Sequence, residues 1–182
     1  MPNYSFWKVL SFMWTIELLN PAHDLSEFDC GEQSLNLWLN RFASSNTKVG
    51  LSRTFVALEP GLSKVRGYFA ISTSSVKFDT IPDHIQKRLP KYPIPTVHIG
   101  RLAVDKNQQK RGLGEILLIE ALRRAGHASL NVGVYAVDVI ASNDSARSFY
   151  LKYGFKPLLD NQLHLFLPIE TARILASIVD QD

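Results

Sequence analysis

The chain predicts a single α/β domain, and three features of its order point there: a strand-like hairpin, an amphipathic helix ahead of it, and a mid-chain glycine turn opening a second helix. A length of 182 residues suits one domain, long enough to bury roughly 70% of the unfolded surface around one core. With 46% hydrophobic and 20% charged residues, and no stretch joining low hydrophobicity to high charge, an ordered globule is expected.

Taken in order, Trp14 to Leu19 reads as a first strand. After Asn20-Pro21, the apolar residues Leu35, Trp38, Leu39, Phe42 and Ala43 recur at i, i+3, i+4, i+7 and i+8, the pattern of a helix with one buried face. Arg53 to Leu58 and Val65 to Ser74 are rich in β-branched and aromatic residues, and Glu59 to Lys64, with Pro60-Gly61 inside it, joins them as a hairpin. Four prolines and several charges between Asp79 and Pro95 break this pattern into a short helix and a surface loop. Thr96 to Val104 is a strand, Gly112 to about Ala128 a helix of good helix formers, and Val134 to Ala141 an apolar run of strand length. Asn143 or Asp144 caps a further helix that carries Ala146, Phe149, Tyr150 and Tyr153 on one face. Lys156 to Leu159 and His164 to Leu167 complete the strands, and Glu170 to Val179 forms a closing helix.

Several function classes drop out on composition. The longest uncharged apolar stretch near the start, Val9 to Ile16, is far short of the roughly 20 residues a membrane span needs. Residues 1–12 hold one lysine and no small-x-small cleavage site, which disfavours a signal peptide; they read as an N-terminal extension, disordered or not native, with Met13 as a second candidate start. The lone Cys30 cannot form an internal disulfide and reads as a small buried residue, which points to the cytoplasm. The histidines show none of the spacings of a zinc site, so no metal is predicted. Net charge is +3, but the bases Lys87, Arg88, Lys91, Arg101, Lys106, Lys110 and Arg111 face the single acid Asp105 across one segment. Such a run is either a solvated face or a site for an anion, the phosphates of a cofactor or a nucleic acid.

The chemistry concentrates where the strand ending in Val104-Asp105 gives way to Gln109-Lys110-Arg111-Gly112-Leu113-Gly114 and a helix. That order puts unpaired backbone N–H groups at the positive end of a helix dipole, where phosphate binds. Glycine lets a phosphate approach the backbone, and Lys110 and Arg111 add charge, although glycines serve plain turns and caps as well. A Walker loop is excluded because Glu115-Ile116, not Lys-Ser/Thr, follows Gly114. A dinucleotide fold is excluded because the turn lies behind an antiparallel hairpin instead of after the first strand of a βαβ unit.

The run His98-Ile99-Gly100-Arg101-Leu102-Ala103-Val104-Asp105, the turn Gln109 to Gly114, and Asn143-Asp144-Ser145-Ala146-Arg147-Ser148-Phe149-Tyr150-Leu151-Lys152-Tyr153-Gly154-Phe155 together resemble the GNAT superfamily of N-acetyltransferases. Phe28-Asp29-Cys30-Gly31, Ser52-Arg53-Thr54-Phe55-Val56 and Gly100 to Asp105 narrow the resemblance to the acetyltransferase toxins of bacterial toxin–antitoxin pairs. It runs from about Trp14 to Pro168 and implies a mixed, mostly antiparallel central sheet flanked by helices, with residues 13–182 as one acetyltransferase domain. It further implies acetyl-CoA as co-substrate. Leu102, Ala103 and Val104 would face the pantetheine arm, Gln109, Lys110, Arg111, Gly112, Leu113 and Gly114 the pyrophosphate, and Asn143 the cofactor from the neighbouring strand end. Tyr150, otherwise a core aromatic, becomes the general acid that protonates the departing thiolate.

The acceptor implied is the α-amine of aminoacyl-tRNA, held by Arg53, Lys77, Lys87, Arg88, Lys91 and Arg101; the alternative is a protein amine or small polyamine. An α-amine of pKa about 8 is partly neutral near pH 7, so the absence of any defensible Asp or Glu general base favours it over a lysine side chain. The partners implied are charged tRNA, a small ribbon-helix-helix antitoxin and a second copy of the chain, with no membrane. A basic nucleic-acid-binding module without catalysis is the non-enzymatic alternative, disfavoured by Tyr150 and the two glycines.

Overall fold

The structure, a computed structural model, describes residues 13–180; the predicted extension over residues 1–12 lies outside them. Seven strands, β1 (Thr15–Leu18), β2 (Arg53–Leu58), β3 (Val65–Val76), β4 (Ile94–Val104), β5 (Ala136–Ile140), β6 (Lys156–Pro157) and β7 (His164–Pro168), order as β1-β2-β3-β4-β5-β7-β6, with β4 and β5 parallel and the β1–β2, β2–β3, β5–β7 and β6–β7 pairs antiparallel. This is the mixed, mostly antiparallel sheet flanked by helices that the resemblance implies. The described residues cluster into two compact units, one built from the chain up to Ser72 with Arg101–Ala121, the other from Thr73–Gly100 and Leu122 onward.

The first unit holds β1 (Thr15–Leu18), α1 (Gln33–Arg41), α2 (Ala43–Lys48), β2 (Arg53–Leu58), most of β3 (Val65–Val76), the end of β4 (Ile94–Val104) and the first half of α4 (Leu113–Ala128). Side chains alternate across a strand. Tyr68 therefore joins Trp38, Leu39, Val56 and Ala103 in one core, while neighbouring Gly67 leaves room for α4 on the opposite face, where an added Cβ would lie 2.8 Å from Leu117 Cδ1. The single helix predicted across Leu35 to Ala43 is divided in two. The first helix ends at Arg41 and the second starts at Ala43, with Phe42 (φ −117°, ψ −25°) as the cap between them and its side chain 47% exposed instead of in the apolar face.

The second unit holds the remaining parts of β3, β4 and α4, a single 3-10 turn (Phe78–Thr80), α3 (Asp83–Gln86), β5 (Ala136–Ile140), α5 (Asp144–Lys152), β6 (Lys156–Pro157), β7 (His164–Pro168) and α6 (Ile169–Val179). Val76, Ile81, Ile94, Ala136, Leu158 and Phe166 form its core on one face. On α4, Gly126 lets α6 approach until an added Cβ would stand 2.8 Å from the Ala172 carbonyl oxygen. Strand β4 begins at Ile94, two residues before the predicted Thr96, and the Pro95 carbonyl accepts from the Tyr135 N–H at 2.9 Å, tying that start to the neighbouring segment. The predicted strand to Leu159 ends at Pro157, since the Leu159 N–H bonds the Thr80 carbonyl instead of a neighbouring strand.

Candidate active site

In the first unit, the end of β4 is fixed before the glycine turn begins. Asp105, 1% exposed, accepts from the Asp29 N–H on Oδ2 at 3.2 Å and from the Asn107 N–H on Oδ1 at 2.9 Å. Its own N–H bonds the Arg66 carbonyl at 2.8 Å. Asp29 in turn accepts from Lys106 Nζ at 2.7 Å, the Gly31 N–H at 2.9 Å and Asn36 Nδ2 at 2.8 Å. The Lys106 hydrogen bond, followed by those from Gly31 and Asn36, holds the Asp29 carboxyl well below the usual carboxylate range. Gln109 spans the two segments, its Nε2 donating to the Cys30 carbonyl at 2.9 Å and the Val104 carbonyl at 3.1 Å. Its side chain therefore braces the loop through Nε2.

After this brace the chain takes an uncommon path. Lys110 has φ +61° and Gly112 φ +88°. A non-glycine residue held at positive φ costs about 1–2 kcal/mol, and such strain collects at functional sites. Helix α4 starts at once, with the Glu115 and Ile116 N–H groups bonding the Gly112 carbonyl, and the backbone N–H groups from Lys110 to Gly114 find no acceptor among the described residues. A Cβ on Gly114 would meet only Val104 Cγ2 at 3.6 Å, ordinary contact, so internal packing does not require glycine there. Free N–H groups at a helix start, with Lys110 and Arg111 exposed beside them, form an anion site able to hold a pyrophosphate. Arg53, at the start of β2, is exposed. Arg101 differs: it is half-buried, its guanidinium carbon 4.2 Å above the Trp38 ring, and Trp38 stacks on Tyr68. A weakly hydrated guanidinium is well seated on an aromatic face, so it leaves the open surface where the sequence expected it.

In the second unit, Asn143 caps α5, its Oδ1 accepting from the Ala146 N–H at 2.9 Å. The side chain predicted to face the cofactor thus caps, through Oδ1, the helix that carries Tyr150. Tyr150 is 6% exposed, with Phe149 and Phe155 packed edge-on against its ring at 5.2 and 5.5 Å between centroids. Burial alone raises its phenol well above the usual tyrosine range, which keeps it protonated. Lys77, Lys87, Arg88 and Lys91 are all exposed, together on the connection between β3 and β4.

The same unit contains a polar centre that no spacing in the sequence announces. Asp138, 1% exposed, accepts on Oδ2 from His98 Nδ1 at 2.8 Å and His164 Nε2 at 2.9 Å. It becomes visible only when three strands place those side chains on one face, His98 directly opposite Asp138 in the β4–β5 register. Burial works to raise the Asp138 carboxyl, but hydrogen bonds from His164 and His98 outweigh it and hold the group at about 2, against 3.8 unperturbed. A depressed folded-state pKa contributes stability that is present above pH 3.8 and lost as pH falls toward 2. Acid denaturation monitored by circular dichroism is therefore expected to show an inflection in that window, and Asp138→Asn is expected to remove it; an unchanged acid profile would refute the assignment. Among the described residues, no group of three or more His, Cys, Asp or Glu side chains is arranged to hold a metal ion, and no helix is long and apolar enough to cross a membrane.

Comparison with known proteins adds to this geometry. A family model described as the Acetyltransferase (GNAT) family matches residues 33–155. The tRNA-acetylating toxin of Mycobacterium tuberculosis (strain ATCC 25618 / H37Rv) is 36% identical over 86% of this chain and 93% of its own. A structure of AtaT complexed with acetyl-methionyl-tRNAfMet superposes with a TM-score of 0.83 at 34% identity, covering 89% of this chain and 98% of that one. A mutant AtaT toxin bound to the C-terminus of the antitoxin AtaR and acetyl-CoA superposes with a TM-score of 0.76 at 31% identity, covering 90% and 98%.

Proposed function

The chain belongs to the acetyltransferase (GNAT) family, and from that premise we propose that it is a toxin which moves acetyl from acetyl-CoA to the α-amine of the amino acid on charged tRNA and so blocks translation. The observation that carries the proposal is the strained, N–H-lined turn from Lys110 to Gly114 in a chain alike, over most of its length, to a tRNA-acetylating toxin. The pyrophosphate of acetyl-CoA rests on the backbone of Lys110 to Gly114, with Lys110 and Arg111 balancing its charge. Leu102, Ala103 and Val104, the last three residues of β4, offer backbone groups to the pantetheine arm, and Asn143 sits at the head of the helix bearing the acid. The neutral α-amine attacks the thioester carbon, the tetrahedral intermediate collapses, and the C–S bond breaks. Tyr150 gives its proton to the departing thiolate. The proton shed by the acylated nitrogen returns the phenolate to its resting form, so no external acid is consumed.

Arg53, Lys77, Lys87, Arg88 and Lys91, all exposed, hold the RNA, while Arg101 stays seated on Trp38. Residues 13–182 act as one catalytic domain in the cytoplasm, as a homodimer held in check by a small ribbon-helix-helix antitoxin. The experiment is transfer of labelled acetyl from acetyl-CoA to aminoacylated tRNA, with deacylated tRNA and bulk cell protein as parallel acceptors. Label on charged tRNA alone is the expected result. Label on protein and none on charged tRNA would overturn the proposal in favour of a protein amine or polyamine acceptor.

A further inference from the structure

The connection between β3 and β4 carries more than charge. Its underside is anchored: Ile85 and Leu89 pack against the core that contains Ile81, Ile94 and Phe166. Its backbone is closed by the Arg88 N–H on the Ile85 carbonyl at 3.1 Å, the Leu89 N–H on Gln86 at 2.9 Å, and the Tyr92 N–H on Pro90 at 2.9 Å. Pro90 and Pro93 fix φ on either side of Lys91-Tyr92. The outcome is a stiff turn that holds Tyr92 57% exposed beside exposed Lys87, Arg88 and Lys91, with no acid between Lys87 and Pro95.

A ring held out in this way adds little to the core, and a rigid turn means that little freedom is lost when something stacks on it. Cations with an exposed aromatic face on the same short turn suit unpaired nucleic acid, because the cations take phosphates and the ring takes a base. Double-stranded RNA offers its phosphates but keeps its base faces covered, so a stacking ring selects a single strand.

We propose that Tyr92 is a stacking platform for an unpaired base of the acceptor's single-stranded 3′ end, with Lys87, Arg88 and Lys91 on the flanking phosphates; this rests on charged tRNA being the acceptor. The acetylated amine is attached to that end, so the neighbouring bases must reach the enzyme whenever the reaction occurs.

Steady-state acetylation of aminoacyl-tRNA by the wild type, Tyr92→Ala, Tyr92→Phe and Lys91→Ala, across a range of salt concentrations, tests this. Tyr92→Ala is expected to raise KM for charged tRNA by about 10-fold with little change in kcat, the effect of one lost base stack. Tyr92→Phe, which keeps the ring, is expected to recover most of that loss. Removing a stack leaves the slope of log affinity against log salt unchanged, whereas Lys91→Ala flattens it by roughly one phosphate contact. Calorimetric titration with acetyl-CoA reports that each variant is folded. A wild-type KM in Tyr92→Ala would overturn stacking and leave acetyl transfer to tRNA standing. A Tyr92→Phe as weak as Tyr92→Ala would assign the effect to the hydroxyl and overturn it as well. A wild-type protein that acetylates no charged tRNA would overturn both proposals.

Discussion

Gly112→Glu is expected to abolish acetyl-CoA binding. Gly112 sits at φ +88°, between Lys110 at φ +61° and the first helical residue Leu113, and its neighbours' N–H groups have no acceptor among the described residues. A side chain at that φ is strained whatever surrounds it, and a carboxylate there takes the place where the phosphate charge is to be neutralised. Two penalties therefore act together, steric and electrostatic, and affinity should fall below detection by calorimetry. Gly112→Ala carries the strain without the charge, so it separates the two and is expected to bind with reduced affinity. Circular dichroism accompanies both variants. A folded Gly112→Glu protein that binds acetyl-CoA normally would remove the pyrophosphate from this turn.

Tyr150→Phe is expected to lower turnover by on the order of 10²-fold or more, the usual contribution of a positioned general acid, with KM for acetyl-CoA unchanged. The ring contacts to Phe149 and Phe155 survive the substitution, so stability should change little. The sign of the pH dependence follows from burial, which raises the phenol and so keeps the acid loaded. Loss of activity through Tyr150 deprotonation is thus expected only above the ordinary tyrosine range, while a free thiol already titrates near about 8.5. Rates for the variant equal to the wild type would make Tyr150 a structural residue and assign the proton to water or another group.

The elements written most clearly in the chain are those whose signal is local. The hairpin of β2 and β3 and the helix after Gly112 follow from side-chain period and glycine placement, and both lie close to where the sequence puts them. The division at Phe42 was not legible, because the i+7 position fits the apolar face equally well whether or not the backbone remains helical. Pro95 misled in the other direction: a proline signals a break, yet here the strand already includes it, and its carbonyl accepts from the Tyr135 N–H.

The candidate site divides in the same way. Glycine spacing and the position of Tyr150 are properties of neighbouring residues, so the sequence by itself determined the glycine turn, the helix behind it and the aromatic pair Phe149-Tyr150. Tertiary structure alone decided that Gln109 braces Cys30 to Val104, that Arg101 lies on Trp38, and that His98 and His164 meet on Asp138. Apart from Gln109 to Val104, these contacts join residues 26 to 79 positions apart, and hydrogen bonding and burial depend on which strands lie side by side, which no local period encodes.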